Sequence, residues 1–382
     1  MPHAEPPLLA LKSVTLKFND AVVLDGVNLT VRGGEMLFVA GRSGAGKTTL
    51  LRVIAGALAP TAGGVLLEGR ECAAPAGRVV FVTQENALWP HLNIRENVAF
   101  ALRQRGLEPE EVRERVGDAL AALGLDMLGG RKPSEMCASE RRRAALARAL
   151  AQNPSVLLLD EPFAFLDERA RRAAWENVRK ICAERKIAAV CVSQITADVL
   201  AFADRIALLD AGVLAPPVPP LTLYRRPFSR FAGEFFSDAN CVAGKVLFAG
   251  AGEFIAKTPL GEVRGTLANA AKTPAVGAPL DILIRPESLH IDAFAPDENA
   301  FAGSVLGAGE APPAAAPAAP AVPPSATGFG GATGLVLFKT RGGITLRVKE
   351  LNPRVAGGGV SAGQMFAWVA PEDVTGVEVI SA

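Results

Sequence analysis

The spacing of apolar residues divides this chain into stretches of different kind. Leu8 to Leu16 alternates weakly and reads as a strand ending near Phe18. Leu24 to Val31 reads as another, closed by the turn Arg32-Gly33-Gly34-Glu35. Met36 to Ala40 is an unbroken apolar run, and Thr49 to Ala57 follows with helical spacing. Gly63 to Leu67 and Arg78 to Thr83 add two strands. Asn93 to Leu128 then has helical periodicity, broken at Gly106 to Pro109, with an amphipathic helix over Glu110 to Leu123. Arg141-Arg142-Arg143 opens a further helix running to about Ala151, and its outward arginines read as a solvated face. Ser155 to Pro162 is a buried strand, Arg169 to Glu184 a helix, Ile187 to Val192 a strand, Ala197 to Ala203 a helix and Ile206 to Leu209 a strand. Strands alternating with helices predict an α/β unit whose parallel sheet is covered on both faces.

The proline-rich stretch Ala215 to Pro220 marks a boundary. From Cys241 the helical period disappears. Short strands recur between glycine turns: Val242 to Phe248, Asp281 to Ile284, Leu335 to Lys339, Ile344 to Val348 and Met365 to Val369. That pattern predicts a small all-β sandwich or barrel. Ala308 to Gly328 is Pro/Ala-rich, with few large apolar side chains to pack, and reads as a disordered or extended insertion.

Bulk numbers narrow the classes. The 382 residues suggest two or three domains. Forty lysines and arginines nearly balance 39 aspartates and glutamates, which argues against a generally basic nucleic-acid binder. The apolar stretch Ile187 to Leu214 is interrupted by Asp198, Asp204, Arg205 and Asp210, and no run reaches the roughly 18 residues of a membrane span. Met1 to Leu11, proline-rich and without a basic start, does not read as a secretory leader. Five cysteines (Cys72, Cys137, Cys182, Cys191, Cys241) lack C-x-x-C spacing and read as reduced thiols. Only three histidines occur, His3, His91 and His290; with no second ligand spaced nearby, His91 reads as structural or partner-facing.

The chemistry gathers at strand ends. Gly41-Arg42-Ser43-Gly44-Ala45-Gly46-Lys47-Thr48-Thr49 matches G-x-x-x-x-G-K-[ST] between a strand and a helix, the context of a phosphate-binding loop. Its glycines let backbone N–H groups approach an anion, and the helix N-terminus adds positive potential. Lys47 is expected to reach the β- and γ-phosphates, and the Thr48 hydroxyl to take one Mg²⁺ position. Ser155 to Pro162 closes in Asp160-Glu161, a Walker B pattern: Asp160 to hold Mg²⁺ through water, Glu161 to orient or deprotonate the attacking water. Gln84 closes another strand, where its amide can sit beside Mg²⁺ and that water. Phe18 is placed where it can stack on a base or simply pack a core.

With these parts in place, the chain resembles the ATP-binding-cassette (ABC) ATPases, and within them the importer branch serving maltose-type sugars, polyamines and ferric iron. Branch-specific parts are Ala87-Leu88-Trp89-Pro90-His91-Leu92 and Glu96-Asn97-Val98-Ala99-Phe100, similar to the loop that faces a permease. Leu223-Tyr224-Arg225-Arg226-Pro227, Ala239-Asn240 and Ile284-Arg285-Pro286-Glu287 are similar to the junction with a transport-associated OB-type (TOBE) domain. The resemblance implies an α/β P-loop NTPase domain over residues 8–236 with a helical subdomain near 86–151. A small all-β OB-type domain over 237–382 would follow, carrying the insertion 308–328. It implies ATP and Mg²⁺ as cofactors, Phe18 on the adenine and Asp167 as the D-loop aspartate. It also implies permease subunits and a second ATPase subunit as partners, a solute-binding protein indirectly, and no nucleic acid. The place would be the cytoplasmic face of the inner membrane, held through the permease.

Two positions depart from that family. Where it carries Leu-Ser-Gly-Gly-Gln, closing over the γ-phosphate held by the other subunit, this chain reads Met136-Cys137-Ala138-Ser139-Glu140. The Cys137 thiol is a weak donor beside a serine hydroxyl, and Ala138 and Ser139 add Cβ atoms where glycines allow close approach. Glu140 is the mildest change. Gln194, in Ser193-Gln194-Ile195, takes the place of the family's switch histidine; it donates a hydrogen bond but cannot become a cation. By analogy with losing one donor of a preorganised site, each departure is expected to cost on the order of 100-fold in turnover. The expectation is thus an importer ATPase with intact Mg²⁺ chemistry and impaired closure. The alternative is a regulatory cassette that binds nucleotide with little or no turnover.

Overall fold

The computed structural model describes residues 6–19, 21–71, 78–84, 88–292, 299–306, 333–351 and 365–378. The chain forms two compact units, Met1–Leu221 and Thr222–Ala382. The first contains, in order, β1 (Leu9–Phe18), β2 (Ala21–Val31), β3 (Met36–Ala40), α1 (Lys47–Ile54), β4 (Ala62–Leu67), β5 (Arg70–Glu71) and β6 (Val79–Val82). A helical block follows: α2 (Ile94–Gln104), α3 (Pro109–Ala122) and α4 (Ala138–Leu150). Alternation then resumes with β7 (Val156–Asp160), α5 (Glu168–Arg185), β8 (Ala188–Val192), α6 (Thr196–Phe202), β9 (Arg205–Asp210) and β10 (Val213–Leu214).

Among the described residues, six of these strands form one sheet in the order β10-β9-β3-β8-β7-β6. Its pairings are parallel except for the β9–β10 hairpin. Every residue of β3, β7 and β8 is buried, as expected of central strands covered on both faces. The expected parallel sheet is therefore present. A second, antiparallel sheet, β2-β1-β4-β5, was not anticipated from the alternation. It presents Leu9, Leu11, Leu24 and Leu29 to a core shared with Leu37, Leu50, Leu51 and Val190, so α1 is enclosed in apolar contacts from β strands of both sheets.

Helix ends are set by side chains. Asn93 caps α2, accepting from Glu96 N at 2.8 Å while Glu96 Oε2 accepts from Asn93 N at 2.9 Å, a reciprocal capping box. Helix α4 begins at Ala138, three residues before the expected Arg141, because Glu140 Oε2 accepts from Cys137 N at 2.8 Å and nucleates the first turn there. The solvated-face reading of the outward arginines fits Arg141, which is exposed, whereas Arg142 is only 6 % exposed. It lies three and four residues before the buried Ala145 and Leu146, on the inward face of the helix.

The second unit contains α7 (Pro220–Arg225), whose start it shares with the first, and α8 (Arg230–Ser237). Its strands begin with β11 (Asn240–Gly250), β12 (Glu253–Thr258), β13 (Gly261–Leu267), β14 (Pro279–Ile284) and β15 (His290–Asp292). They continue with β16 (Ala300–Leu306), β17 (Thr333–Thr340), β18 (Thr345–Leu351), β19 (Met365–Trp368) and β20 (Val374–Glu378). A closed five-stranded barrel runs β11-β12-β13-β20-β14, with β13 and β20 parallel; a five-stranded sheet runs β15-β19-β16-β17-β18. Phe254, Ile282 and Val374 of the barrel share one core with Phe301, Phe338 and Val348 of the sheet. Phe254 fills the barrel so fully that a Cβ on Gly265 or Gly376 would lie 2.8 or 2.7 Å from its ring. The buried Asn240 joins barrel to sheet, donating to Ile284 O and Arg347 O at 3.2 and 2.9 Å and accepting from Arg347 N at 2.7 Å. The stretch Ala308 to Gly328 lies outside the described residues.

Candidate functional site

Parallel pairing brings four strand ends to one edge. Val39 lies opposite Val192, Val192 opposite Asp160, and Val82 opposite Leu159. The segments leaving β3, β6, β7 and β8 therefore start side by side, where open α/β sheets bind ligands. Those segments carry the phosphate loop, Gln84, Asp160-Glu161 and Gln194.

The loop from Gly41 to Gly46 turns through left-handed backbone at Gly41, Gly44 and Gly46, with φ of 152°, 81° and 99°. At Gly41 the need is also steric, since a Cβ would sit 2.2 Å from Leu209 O. Arg42, Ser43 and Gly44 are exposed, Ala45 half-buried, and Thr48 and Thr49 half-buried on the first turn of α1. Lys47 is buried, and its Nζ donates to Gly41 O and Arg42 O, both at 2.7 Å. Burial lowers the Lys47 ammonium from its ordinary range, and the negative charges of Glu161 and Asp160 act against that. The cation is thus curled under its own loop, close enough to both carboxylates to feel them.

Thr48 Oγ1 donates to Asp160 Oδ2 at 2.8 Å, joining the phosphate loop directly to the end of β7. A hydroxyl and a carboxylate so placed are hard oxygen donors of the kind Mg²⁺ takes. Among the described residues no cluster of three or more His, Cys, Asp or Glu could hold a metal by itself. The donor set therefore fits an ion that shares its shell with waters and phosphate oxygens. Glu161 follows with φ of 46°, a costly conformation for a residue with a Cβ. Its N–H donates to Val192 O at 3.0 Å, and its Oε1 accepts from Gln194 Nε2 at 2.5 Å. The structure thus brings together Lys47, Thr48, Asp160, Glu161 and Gln194. Gln84 is exposed at the same sheet edge, two residues beyond β6.

Other expected residues sit apart. Phe18 ends β1 and is 48 % exposed. Asp167 is the N-cap of α5, accepting from Ala170 N at 2.9 Å, so its carboxylate already serves a helix end. Cys137, Ser139 and Glu140 occupy the start of α4, where Cys137 Sγ and Ser139 Oγ lie 3.1 Å apart. The Cys137 amide holds the Glu140 carboxyl below its usual range, helped by Arg131 and Arg143.

Two residues of this region were missed. Asn97 is fully buried: its Oδ1 accepts from Trp89 N at 2.7 Å, and its Nδ2 donates to Trp89 O, Leu92 O and Asn93 O at 3.1, 3.1 and 3.0 Å. It shapes the loop that presents Trp89, whose ring lies 5.4 Å from Phe100 and 6.4 Å from His91, all three partly or fully exposed. The signal was its place three residues after Ile94 and one before Val98, on an apolar face. Arg142 is the other; its Nη1 donates to Glu161 O at 3.4 Å and to Pro162 O.

Comparison with known proteins agrees with this geometry. Residues 24–164 match the family model described as ABC transporter. The spermidine/putrescine import ATP-binding protein PotA of Rubrobacter xylanophilus is 36 % identical over 292 residues, covering 76 % of this chain and 78 % of that protein. The Fe(3+) ions import ATP-binding protein FbpC of Brucella abortus is 35 % identical over 308 residues, covering 80 % and 85 %. Among solved structures, the ATP-binding cassette MJ0796, a dimer in a post-hydrolysis state bound to ADP and Pi, superposes with a TM-score of 0.51 at 28 % identity, over 56 % of this chain and 98 % of that one. CbiO1 of Clostridium perfringens, part of an ABC transporter complex, shares the fold with a TM-score of 0.53 at 24 % identity, over 56 % and 90 %. With the phosphate loop bonded to the Walker B aspartate and relatives of this extent, the chain belongs to the ATP-binding subunits of ABC transporters.

Proposed function

We propose that this protein is the ATPase of an importer, coupling MgATP binding and hydrolysis to solute uptake through a partner permease. The observation that carries the reading is the Thr48–Asp160 bond beneath a glycine loop holding Lys47, the arrangement that cradles a nucleoside triphosphate. Bound Mg²⁺ would neutralise phosphate charge, with Thr48, Asp160 and Gln84 the residues placed to hold it. On nucleotide binding, Lys47 exchanges the carbonyls of Gly41 and Arg42 for phosphate oxygens. Glu161 accepts the proton of the attacking water, and Gln194 holds its carboxylate in place. Phe18 stacks on the base.

Cys137, Ser139 and Glu140 act across a dimer on the nucleotide held by the second subunit, and Asp167 lies on the same seam. The exposed Trp89, His91 and Phe100 suit docking on a permease; no helix among the described residues is long and apolar enough to cross a membrane. The protein then sits peripherally on the cytoplasmic face, and the second unit is its transport-associated domain.

The 3.1 Å contact between Cys137 Sγ and Ser139 Oγ favours slow turnover, because whichever atom donates turns its one hydrogen onto the other side chain instead of phosphate. The test is the ATPase rate of the purified protein with and without a co-expressed permease. The expected result is a slow, Mg²⁺-dependent rate that the permease raises and that Ala138→Gly, Ser139→Gly and Gln194→His together raise further. Tight ATP binding with no hydrolysis under any of these conditions selects the regulatory cassette instead.

A further inference from the structure

The guanidinium of Arg142 is buried, and no carboxylate among the described residues is within ion-pair distance of it. Its partners are two peptide carbonyls, Glu161 O at 3.4 Å and Pro162 O, and the Phe165 ring, whose centroid lies 5.0 Å from Cζ. A buried cation satisfied only by carbonyls and a ring is costly unless those contacts are well formed. All three lie on the single segment that leaves β7. Glu161 there is in left-handed backbone. On its N-terminal side that conformation is tied by Glu161 N to Val192 O at 3.0 Å; on its C-terminal side it is tied by Arg142. Charge-assisted bonds to two successive carbonyls fix the peptide planes that follow Glu161, and so its backbone torsion. Phe165, 72 % exposed, covers the guanidinium from the solvent side.

We propose that Arg142 is a positioning residue: it clamps the Glu161–Asp167 segment to α4 and keeps Glu161 in the backbone conformation that aims its carboxylate at Gln194 and the mouth of the phosphate loop. Because Arg142 lies one turn into the helix that Cys137 and Glu140 begin, the same clamp ties that helix start to the hydrolytic carboxylate. Its catalytic consequence rests on the reading of Glu161 as the hydrolytic base; the clamp itself does not.

The test compares wild type with Arg142→Met, Arg142→Gln and Arg142→Lys, with Arg113→Gln on the outer face of α3 as a control. Amide exchange of the peptide spanning 161–167 in the intact protein should quicken at least about tenfold in Arg142→Met and Arg142→Gln, with smaller change in Arg142→Lys. MgATP affinity should stay within about twofold while kcat falls at least about tenfold, the split expected when a catalytic group is misaimed and binding is untouched. Unchanged exchange in 161–167, or exchange that quickens equally throughout the first unit, overturns the clamp. Quickened exchange with kcat unchanged overturns its catalytic consequence. If the Arg142 variants do not fold, Phe165→Leu, which spares both carbonyl bonds, must still quicken exchange in the same peptide, and no change there overturns the proposal. A wild type without turnover even beside its permease sinks the hydrolysis reading instead, and the exchange experiment, needing no turnover, still decides the clamp.

Discussion

At the scale of single residues, the site is a small set of polar groups whose partners are other members of the site. Lys47 bonds its own loop, Thr48 bonds Asp160, and Gln194 bonds Glu161. Each of these bonds is available for exchange with a phosphate, a metal or a water. Glu161→Gln therefore removes the proton acceptor while leaving the carbonyl bonds to Arg142 and the cradle around Lys47 intact. Its MgATP affinity should match wild type, and turnover should fall by about 100-fold or more. An isotherm and a steady-state rate on one preparation check this; equal loss of affinity and rate would mean Glu161 shapes the site rather than the chemistry. Gln194 was legible in the sequence as an uncharged residue after β8, but its 2.5 Å bond to Glu161 needed the strands to be paired.

At the scale of elements, two short polar contacts set where helices begin and how loops lie. The Cys137 amide lowers the Glu140 carboxyl below its ordinary value of 4.5. The folded state thus binds that proton less well than the unfolded chain, so the contribution is complete above pH 4.5 and is lost on acidification through the lowered value. Thermal unfolding across pH 6 to about 3 should show wild type above Glu140→Ala at the upper end, with the gap closing as pH falls below about 4.5. A gap that widens on acidification would exclude the cap. Asn97 plays the matching part before α2. Asn97→Ala takes the side-chain partner from the Trp89 amide and the Leu92 carbonyl, while Trp89 O and Asn93 O keep backbone donors, and should cost about 1–3 kcal/mol. It should also loosen the Trp89–Phe100 contact, read as a change in tryptophan emission. Emission and unfolding both unchanged would show the loop to be held by other means.

At the scale of the molecule, two units of different architecture are joined in one chain. The β unit depends on a crowded interior: Phe254 reaches both Gly265 and Gly376, and nothing larger than hydrogen fits beside its ring. Gly265→Ala would also place a Cβ 2.7 Å from Val374 O, and overpacking of this kind costs about 1–3 kcal/mol. We expect the unfolding transition of the β unit to drop while MgATP affinity in the first unit is retained. Loss of nucleotide binding in that variant would show the two units to be thermodynamically one.

Read from the sequence alone, β3 was placed from Met36 to Ala40, and the structure has the same bounds; β8 agrees to within a residue at each end, and β7 begins within a residue but ends at Asp160, two residues before Pro162. Continuous apolar runs demand burial on both faces, and that demand is local. The phosphate loop was equally plain, because φ above zero and close anion approach leave glycine as the fitting residue at Gly41, Gly44 and Gly46. Pairing was not plain. Strands β1, β2 and β4 of the antiparallel sheet were recognised one by one, and the two-residue β5 was not; nothing near β1 states that β2 and β4 flank it, since the partners come from separate stretches. The barrel strands β12 and β13 were overlooked for a related reason: Gly261, Gly265 and a scatter of charged residues weaken their alternation, and only the ring of Phe254 explains the missing side chain at Gly265. Arg142 shows the same limit in a single residue. Its charge argued for solvent, and only the turn after β7, packed against α4, supplied the carbonyls and the ring that let a guanidinium be buried. What a residue needs is written in its chemistry; who meets that need is settled when distant segments close on one another.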